Sequence, residues 1–390
     1  MIVESDRRMS GVLPFLPSRV IRQILLIWAA WSVGILLLAS AALVPPVANS
    51  SPWTSVFHAP PLARWDSVWY RSVATEGYQY DAGRRENNVG FYPLYPLCAR
   101  AVSRLVSSRL LPTGIGLSFL CLGAALLLAA DLFAEWGGAE SALPSVAALL
   151  LFPVSFYFAS FYTESLFLLA TAAAIWGARR GRWAVAALGG AAAALTRFNG
   201  ALVVLAIALI AWERAGRRWA GLRPGPALAA AATLAGAAAF PLYLWWRFGD
   251  PLLYVKSKSA GWSIRPSPVW RLAADVTRRV QDYVREPNLG EMLSYASQLG
   301  SALLFILLAI ALFRRGLKAE GLYMAATMAL LVSSGTLDAM DRFVLVLFPG
   351  FFVLAEFLRP RPALAFAYSF GGVGIGMVFL HRFVHWIMVS

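Results

Sequence analysis

One carboxylate in this chain is set between arginines and aromatic rings, an arrangement suited to chemistry. It is Asp66, in Arg64-Trp65-Asp66-Ser67-Val68-Trp69-Tyr70-Arg71. A carboxylate can take a proton from a hydroxyl, and the forked donors of arginine match phosphate oxygens. Arg84 and Arg85 crowd the same segment. The other charges within or at the edge of apolar runs are Glu164, Arg197, Asp250, Asp338, Asp341 and Arg342. Ionisable groups in or near hydrocarbon are costly, which makes function their default reading. Structural readings compete with it. Asp66 can cap a helix predicted from Asp66 to Thr75, with Trp65, Trp69 and Val73 on one face. Glu164 can cap a helix that follows a break, and Asp338 and Asp341 can be solvated loop carboxylates.

The composition indicates the scaffold that must position these residues. Of 390 residues 59% are hydrophobic and 14% charged, with mean hydropathy +0.64; soluble domains carry about 25% charged residues. The run 20–44 exceeds the roughly 20 apolar residues that cross about 30 Å of hydrocarbon. It leads to Pro45-Pro46 instead of a small-residue cleavage site, so it reads as a retained helix and not a signal peptide. The net charge of +14 comes from arginines that flank apolar runs without forming a basic face, which excludes nucleic acid as a partner. Cys98 and Cys121 lie in apolar surroundings, and His58, His381 and His385 are dispersed, so no disulfide framework and no cysteine or histidine metal site is expected.

Basic residues mark the cytoplasmic side of a membrane protein. They cluster at Arg7, Arg8, Arg19 and Arg22; Arg104 and Arg109; Arg179, Arg180 and Arg182; Arg214, Arg217, Arg218 and Arg223; Arg314, Arg315 and Lys318; and Arg359 and Arg361. Alternation then predicts a cytoplasmic N-terminus (1–19), with 45–90, 132–141, 247–295, 338–341 and the C-terminus outside. Residues 142–178 are too long for one straight helix and contain Pro153, so a broken helix is expected there. Residues 183–212 lie between two basic clusters and read as two short helices meeting near Thr196-Arg197-Phe198-Asn199-Gly200. Irregular backbone at membrane depth needs protein or a water-filled cavity around it.

The expected fold is a single all-α polytopic membrane domain spanning 1–390. It is a bundle of about eleven transmembrane helices with two long extracytoplasmic loops, 45–90 and 247–295, that carry surface-lying helices. In the second loop Lys256, Lys258, Trp262, Arg265, Trp270, Arg278 and Arg279 read as resting on lipid head groups in preference to shaping an acceptor groove.

Six motifs in order carry a family resemblance. They are Arg64-Trp65-Asp66-Ser67-Val68-Trp69-Tyr70 with Gly77-Tyr78; Phe91-Tyr92-Pro93-Leu94-Tyr95-Pro96; Ser160-Phe161-Tyr162-Thr163-Glu164-Ser165-Leu166-Phe167; Thr196-Arg197-Phe198-Asn199-Gly200; Phe248-Gly249-Asp250-Pro251-Leu252; and Asp341-Arg342-Phe343 with Phe348-Pro349. Together they resemble the PIG-V-like mannosyltransferases, with Phe198 standing where a proline is common. The resemblance implies a GT-C-type integral membrane glycosyltransferase that takes a sugar, mannose in this family, from a polyprenyl-phosphate donor on the extracytoplasmic face. It also implies that the acidic residue of the first outer loop, here Asp66, is catalytic.

The residues agree with that expectation. A lipid phosphate leaves without needing a proton, so one base for the acceptor hydroxyl and positive charge for the phosphate suffice, where glycoside hydrolysis needs two carboxyls. Asp66 is the expected base in an inverting displacement. Arg197, Arg342 and Arg64 are expected at the donor phosphate, and Glu164, Asn88, Tyr92, Asn199 and Asp250 at the sugar or acceptor. The acceptor is expected to be a lipid or a glycan. No cofactor is required, although Asp66, Glu164 and Asp250 could hold a divalent cation. High alanine and arginine usage points to a bacterial plasma membrane. The alternative is a lipid-linked sugar or small-molecule transporter or flippase, which would also use broken helices and buried charges.

Overall fold

The computed structural model describes residues 13–42, 60–218 and 224–389. Arg7, Arg8, His58, Arg223 and the first part of the 45–90 loop lie outside them. The described residues form α-helices and short 3-10 turns, with no strand among them. In chain order the helices are α1 (Ser18–Ala41), α2 (Ser67–Glu76), α3 (Leu94–Leu105), α4 (Leu110–Gly137), α5 (Ala142–Leu150), α6 (Glu164–Arg180), α7 (Trp183–Thr196), α8 (Val203–Arg214), α9 (Pro224–Phe248), α10 (Leu253–Trp262), α11 (Val269–Arg285), α12 (Leu289–Arg314), α13 (Lys318–Val332), α14 (Met340–Leu345), α15 (Phe348–Leu358) and α16 (Pro362–Val384). Five of them, α1, α4, α9, α12 and α16, are long and apolar enough to cross a membrane. The chain is an all-α polytopic membrane protein.

Three helical stretches are interrupted at one level of the bundle, and each interruption has a local cause. Between α5 and α6, Pro153 supplies no N–H to continue the ladder. At the end of α5 the Leu150 carbonyl accepts from Trp31 Nε1 at 3.1 Å and from Ser155 Oγ at 2.7 Å, and Ser165 Oγ donates to the Phe158 carbonyl at 2.6 Å. Protein groups thus replace the ladder, as apolar surroundings require. Between α7 and α8 the backbone of Arg197 is extended, φ −152° and ψ 152°. The turn that follows folds so closely on α7 that a Cβ on Gly200 would lie 2.0 Å from the Ala193 carbonyl oxygen. Gly200→Ala is therefore expected to cost about 1–3 kcal/mol by overpacking, measured as a lower melting temperature in detergent. Between α13 and α15 the chain restarts at α14 from Ala339, a non-glycine residue in the left-handed region at φ 62°.

Contacts at the two ends of the bundle correct part of the expected topology. Asp131, near the end of α4, accepts from Arg180 Nη2 at 2.5 Å, and Glu135 pairs with the same guanidinium. At the start of α4, Ser118 Oγ donates to the Ser160 carbonyl at 2.9 Å. Hence α4 and α6 run in the same direction, and 132–141 lies beside the 179–182 arginines, not opposite them. Of its acids, Glu135 is a counterion to Arg180. The Phe15 N–H donates to Asp131 at 2.9 Å, and Arg179 pairs with Glu320 at 2.6 Å, which brings the starts of α1 and α13 to this same end. The 12-residue α3 spans only about 18 Å. It links α2 to the start of α4, and its Tyr95 hydroxyl donates to the Gly114 carbonyl at 3.0 Å. Arg104 and Arg109 thus belong to the end opposite the 179–182 cluster.

Candidate active site

The residues set down at the three interruptions meet. Glu164, in the first turn of α6, is fully buried, and its Oε1 accepts from Arg197 Nη2 at 2.5 Å and from Arg342 Nε at 3.1 Å. Arg342 Nη1 donates to Asp66 Oδ2 at 2.9 Å. Two carboxylates and two guanidiniums thus form one chain of ion pairs, Asp66 to Arg342 to Glu164 to Arg197. The rings of Tyr162 and Tyr157 lie 4.6 and 4.8 Å from the Arg342 guanidinium carbon. This stacking fixes the plane of the fork.

The segment holding Asp66 is fastened to the motif at 161–164. The Phe161 N–H donates to the Leu62 carbonyl at 3.0 Å, and Ser67 Oγ donates to the Phe161 carbonyl at 3.2 Å. The Tyr162 hydroxyl accepts from the Asp66 N–H and donates to the Arg64 carbonyl, both at 3.1 Å. Thr163 Oγ1 accepts from Arg197 Nε at 2.8 Å. Each residue of Phe161-Tyr162-Thr163-Glu164 therefore aligns one part of the ion-pair chain.

Asp66 stands at the start of α2, yet its side chain makes no capping hydrogen bond there. Only its carbonyl joins the helix, accepting from the Trp69 and Tyr70 N–H groups. The cap reading of this carboxylate is set aside. Trp65, just before it, sits in the left-handed region at φ 51°. A cavity of about 680 Å³ opens over the ion pairs, lined among others by Asp66, Arg197, Arg342, Tyr254, Lys258 and Trp262. That is the size of a small-molecule site. Of the six non-glycine residues with positive φ among the described residues, four, Trp65, Ser263, Ala339 and Trp386, line it. Backbone strain of this kind costs about 1–3 kcal/mol per residue and gathers at functional sites.

Residues 15–215, just over half of the chain, match the family described as mannosyltransferase (PIG-V). The chain belongs to that family. No curated protein and no solved structure matches it. Membership in the PIG-V family makes the chain an integral membrane glycosyltransferase that handles mannose, and the transporter alternative falls away.

The expected site residues of this PIG-V-family chain divide into two groups. Asp66, Arg197, Arg342 and Tyr92 line the cavity, and Glu164 lies behind the arginines. Arg64 is placed elsewhere. Its guanidinium donates to the carbonyls of Val384 at 3.1 Å and Pro60 at 3.0 Å, and burial pushes its pKa down to about 10. Asn88 organises the loop, accepting from the Gln79 N–H at 2.8 Å and donating to Ser72 Oγ at 2.8 Å. Asn199 is buried outside the lining, and neither of its side-chain polar atoms has a partner among the described residues. Asp250 closes a turn, pairing with Lys256 at 2.6 Å, and that partner holds its pKa below the usual carboxylate value. Asp338 is a solvated carboxylate paired with Arg279 at 3.0 Å, whereas Asp341 is fully buried and accepts from Ser297 at 2.8 Å. Among the described residues no group of three His, Cys, Asp or Glu side chains could hold a metal ion.

Several cavity residues were not anticipated. Helix α10 turns Lys258 and Trp262 into the cavity instead of laying them on lipid, and the C-terminal residues Trp386, Met388 and Val389 complete the wall. Helix α11 has only Leu272 buried and does fit a surface position. One signal for Lys258 was available: two of the three lysines in the chain fall in this one helix.

Proposed function

We propose that this protein transfers a mannosyl group from a polyprenyl-phosphate donor to a hydroxyl of a lipid-linked or glycan acceptor, with inversion and with Asp66 as the base. The observation that carries the reading is the state of the Asp66 carboxylate in the cavity. Arg342 holds Oδ2, while among the described residues no hydrogen bond ties Oδ1. The acceptor hydroxyl gives its proton to Oδ1 as its oxygen bonds to the anomeric carbon. The bond from that carbon to the phosphate oxygen breaks on the opposite face, and its electron pair leaves with the phosphate. Protonation neutralises Asp66, so Arg342 loses one of its two countercharges as negative charge grows on the leaving group. Fixed donors stabilise such charge best where water is excluded. Protein cations meet a single phosphate here, so the reaction as written requires no divalent ion.

The ends of the bundle support a sidedness. The basic clusters at 179–182 and 314–318 gather opposite the cavity. Under the positive-inside bias that end would face the cytoplasm and the cavity the extracytoplasmic side. The passes are then about eleven: α1, α4, the stretch from α5 to the break, α6, α7, α8, α9, α12, α13, α15 and α16.

The donor class is tested with purified protein in lipid, given labelled mannose either on polyprenyl phosphate or on a nucleotide, with a panel of hydroxyl acceptors. Label is expected to move only from the lipid phosphate. Transfer from the nucleotide sugar with no lipid phosphate present would overturn the assignment.

A further inference from the structure

Among the described residues three cations line the cavity, and two of them already have carboxylates. Arg342 is shared between Asp66 and Glu164, and Arg197 is held by Glu164 and the Thr163 hydroxyl. Lys258 is placed differently. Its ammonium stands 4.0 Å from the ring centre of Phe91 and 4.1 Å from that of Trp262, and among the described residues no carboxylate pairs with it. Ring faces attract a cation but do not neutralise it. Trp262 is itself braced by Trp69 and Phe91, at ring separations of 6.0 and 5.4 Å, so the platform is fixed. A Cβ on Gly90 would come within 3.5 Å of the lysine Cε, which leaves the stem little room on that side. The cavity thus holds one uncompensated, positioned positive charge opposite a neutral cluster of ion pairs.

We infer that Lys258 binds the phosphate of the lipid donor and compensates the charge it gains on leaving. This rests on the reaction proposed above. When the bond between the anomeric carbon and the phosphate oxygen breaks, the phosphate passes from one negative charge to two, while the acceptor proton passes to Asp66. The total charge is unchanged, but negative charge has moved from the carboxylate to the phosphate. Arg197 stays committed to Glu164 throughout. Lys258 is the cation with no prior partner, and its interaction strengthens as the bond breaks, which is the kind of contact that accelerates a reaction.

The charges facing the lysine are Asp66 and Glu86, which favour the ammonium, and Arg342 and Arg197, which oppose it; burial outweighs them all and lowers its pKa to about 8. The folded value lies below the ordinary one, so in the donor-free protein the charge is present below about pH 8 and is lost as pH rises through it. Donor capture, read as kcat/KM, is therefore expected to fall on the alkaline side with a midpoint at about 8.

Three proteins test this: wild type, Lys258→Met and Lys258→Arg, with melting temperatures checking that each is folded. Lys258→Met is expected to lose about 10²-fold in kcat/KM for the donor. It should also lack the alkaline fall, whereas Lys258→Arg keeps most of the activity and moves the fall out of range. In parallel, binding of polyprenyl phosphate is compared with that of the uncharged polyprenol. Wild type is expected to prefer the phosphate and Lys258→Met to lose that preference. If Lys258→Met matches wild type in phosphate preference, the inference is overturned. If no variant transfers sugar but the lysine still decides the preference, the proposed reaction fails and the phosphate site stands.

Discussion

Glu164→Gln is expected to lower the stability of the protein by about 3 kcal/mol or more and to abolish most transfer while Asp66 is untouched. The side chain is fully buried, and one of its oxygens serves both Arg197 and Arg342. Glutamine has the same shape but no charge, so it leaves two nearly buried guanidiniums with a single carboxylate, Asp66, between them. Removing one partner of a buried ion pair is costly because the remaining charge cannot recover its hydration. Arg342 would then lean wholly on Asp66, and Arg197 on the Thr163 hydroxyl. Glu164→Asp keeps the charge but shortens the reach, and it should fall between the two. Thermal unfolding in detergent, with transfer measured on the same preparation, checks this. A glutamine variant that melts within about 1 kcal/mol of wild type would show that the shared carboxylate does not hold the arginines.

Asp66→Asn is expected to behave in the opposite way, losing activity and not structure. Its carboxylate is partly exposed to the cavity and makes one ion pair, and the asparagine amide oxygen can still accept from Arg342. The melting temperature should move little. An amide cannot take the acceptor proton, so kcat should drop by about 10²- to 10⁴-fold, the usual worth of a positioned general base. Affinity for the donor should persist, because Asp66 does not carry the cationic side of the site. Loss of kcat together with an equal loss of donor binding would instead place Asp66 in donor recognition.

Much of this site could be read from the chain before folding, for physical reasons that differ residue by residue. Asp66 was visible because a carboxylate among arginines and tryptophans is rare in an apolar chain. The breaks at 151–163 and 197–202 were visible because Pro153 interrupts one stretch and because 183–212 lies between two basic clusters. Their convergence was not, since nothing local says that Glu164 will accept from arginines 33 and 178 residues away. Arg64 misled because it neighbours Asp66 in sequence. The left-handed turn at Trp65 sends the two side chains apart, and Arg64 ends among carbonyls near the C-terminus. The sidedness of 132–141 misled in a similar way. Glu135 and Glu140 stand in a connection with no basic residue, which resembles an outer one, but Glu135, with Asp131 just before it, pairs with Arg180 across the bundle. Helix α3 looked like part of a crossing because its apolar residues sit between basic ones. Its length is that of a connector, and it packs on α2 and the start of α4.

The most direct test of the central claim, a single displacement with Asp66 on one face of the sugar and the phosphate leaving from the other, is the anomeric configuration of the product. Mannose of defined configuration on polyprenyl phosphate is supplied to the wild-type protein in lipid, and the new glycosidic bond is assigned by NMR. The account predicts the configuration opposite to that of the donor, with product formation lost in Asp66→Asn. A product that keeps the donor's configuration would require two displacements through a sugar bound to the enzyme, and would contradict it.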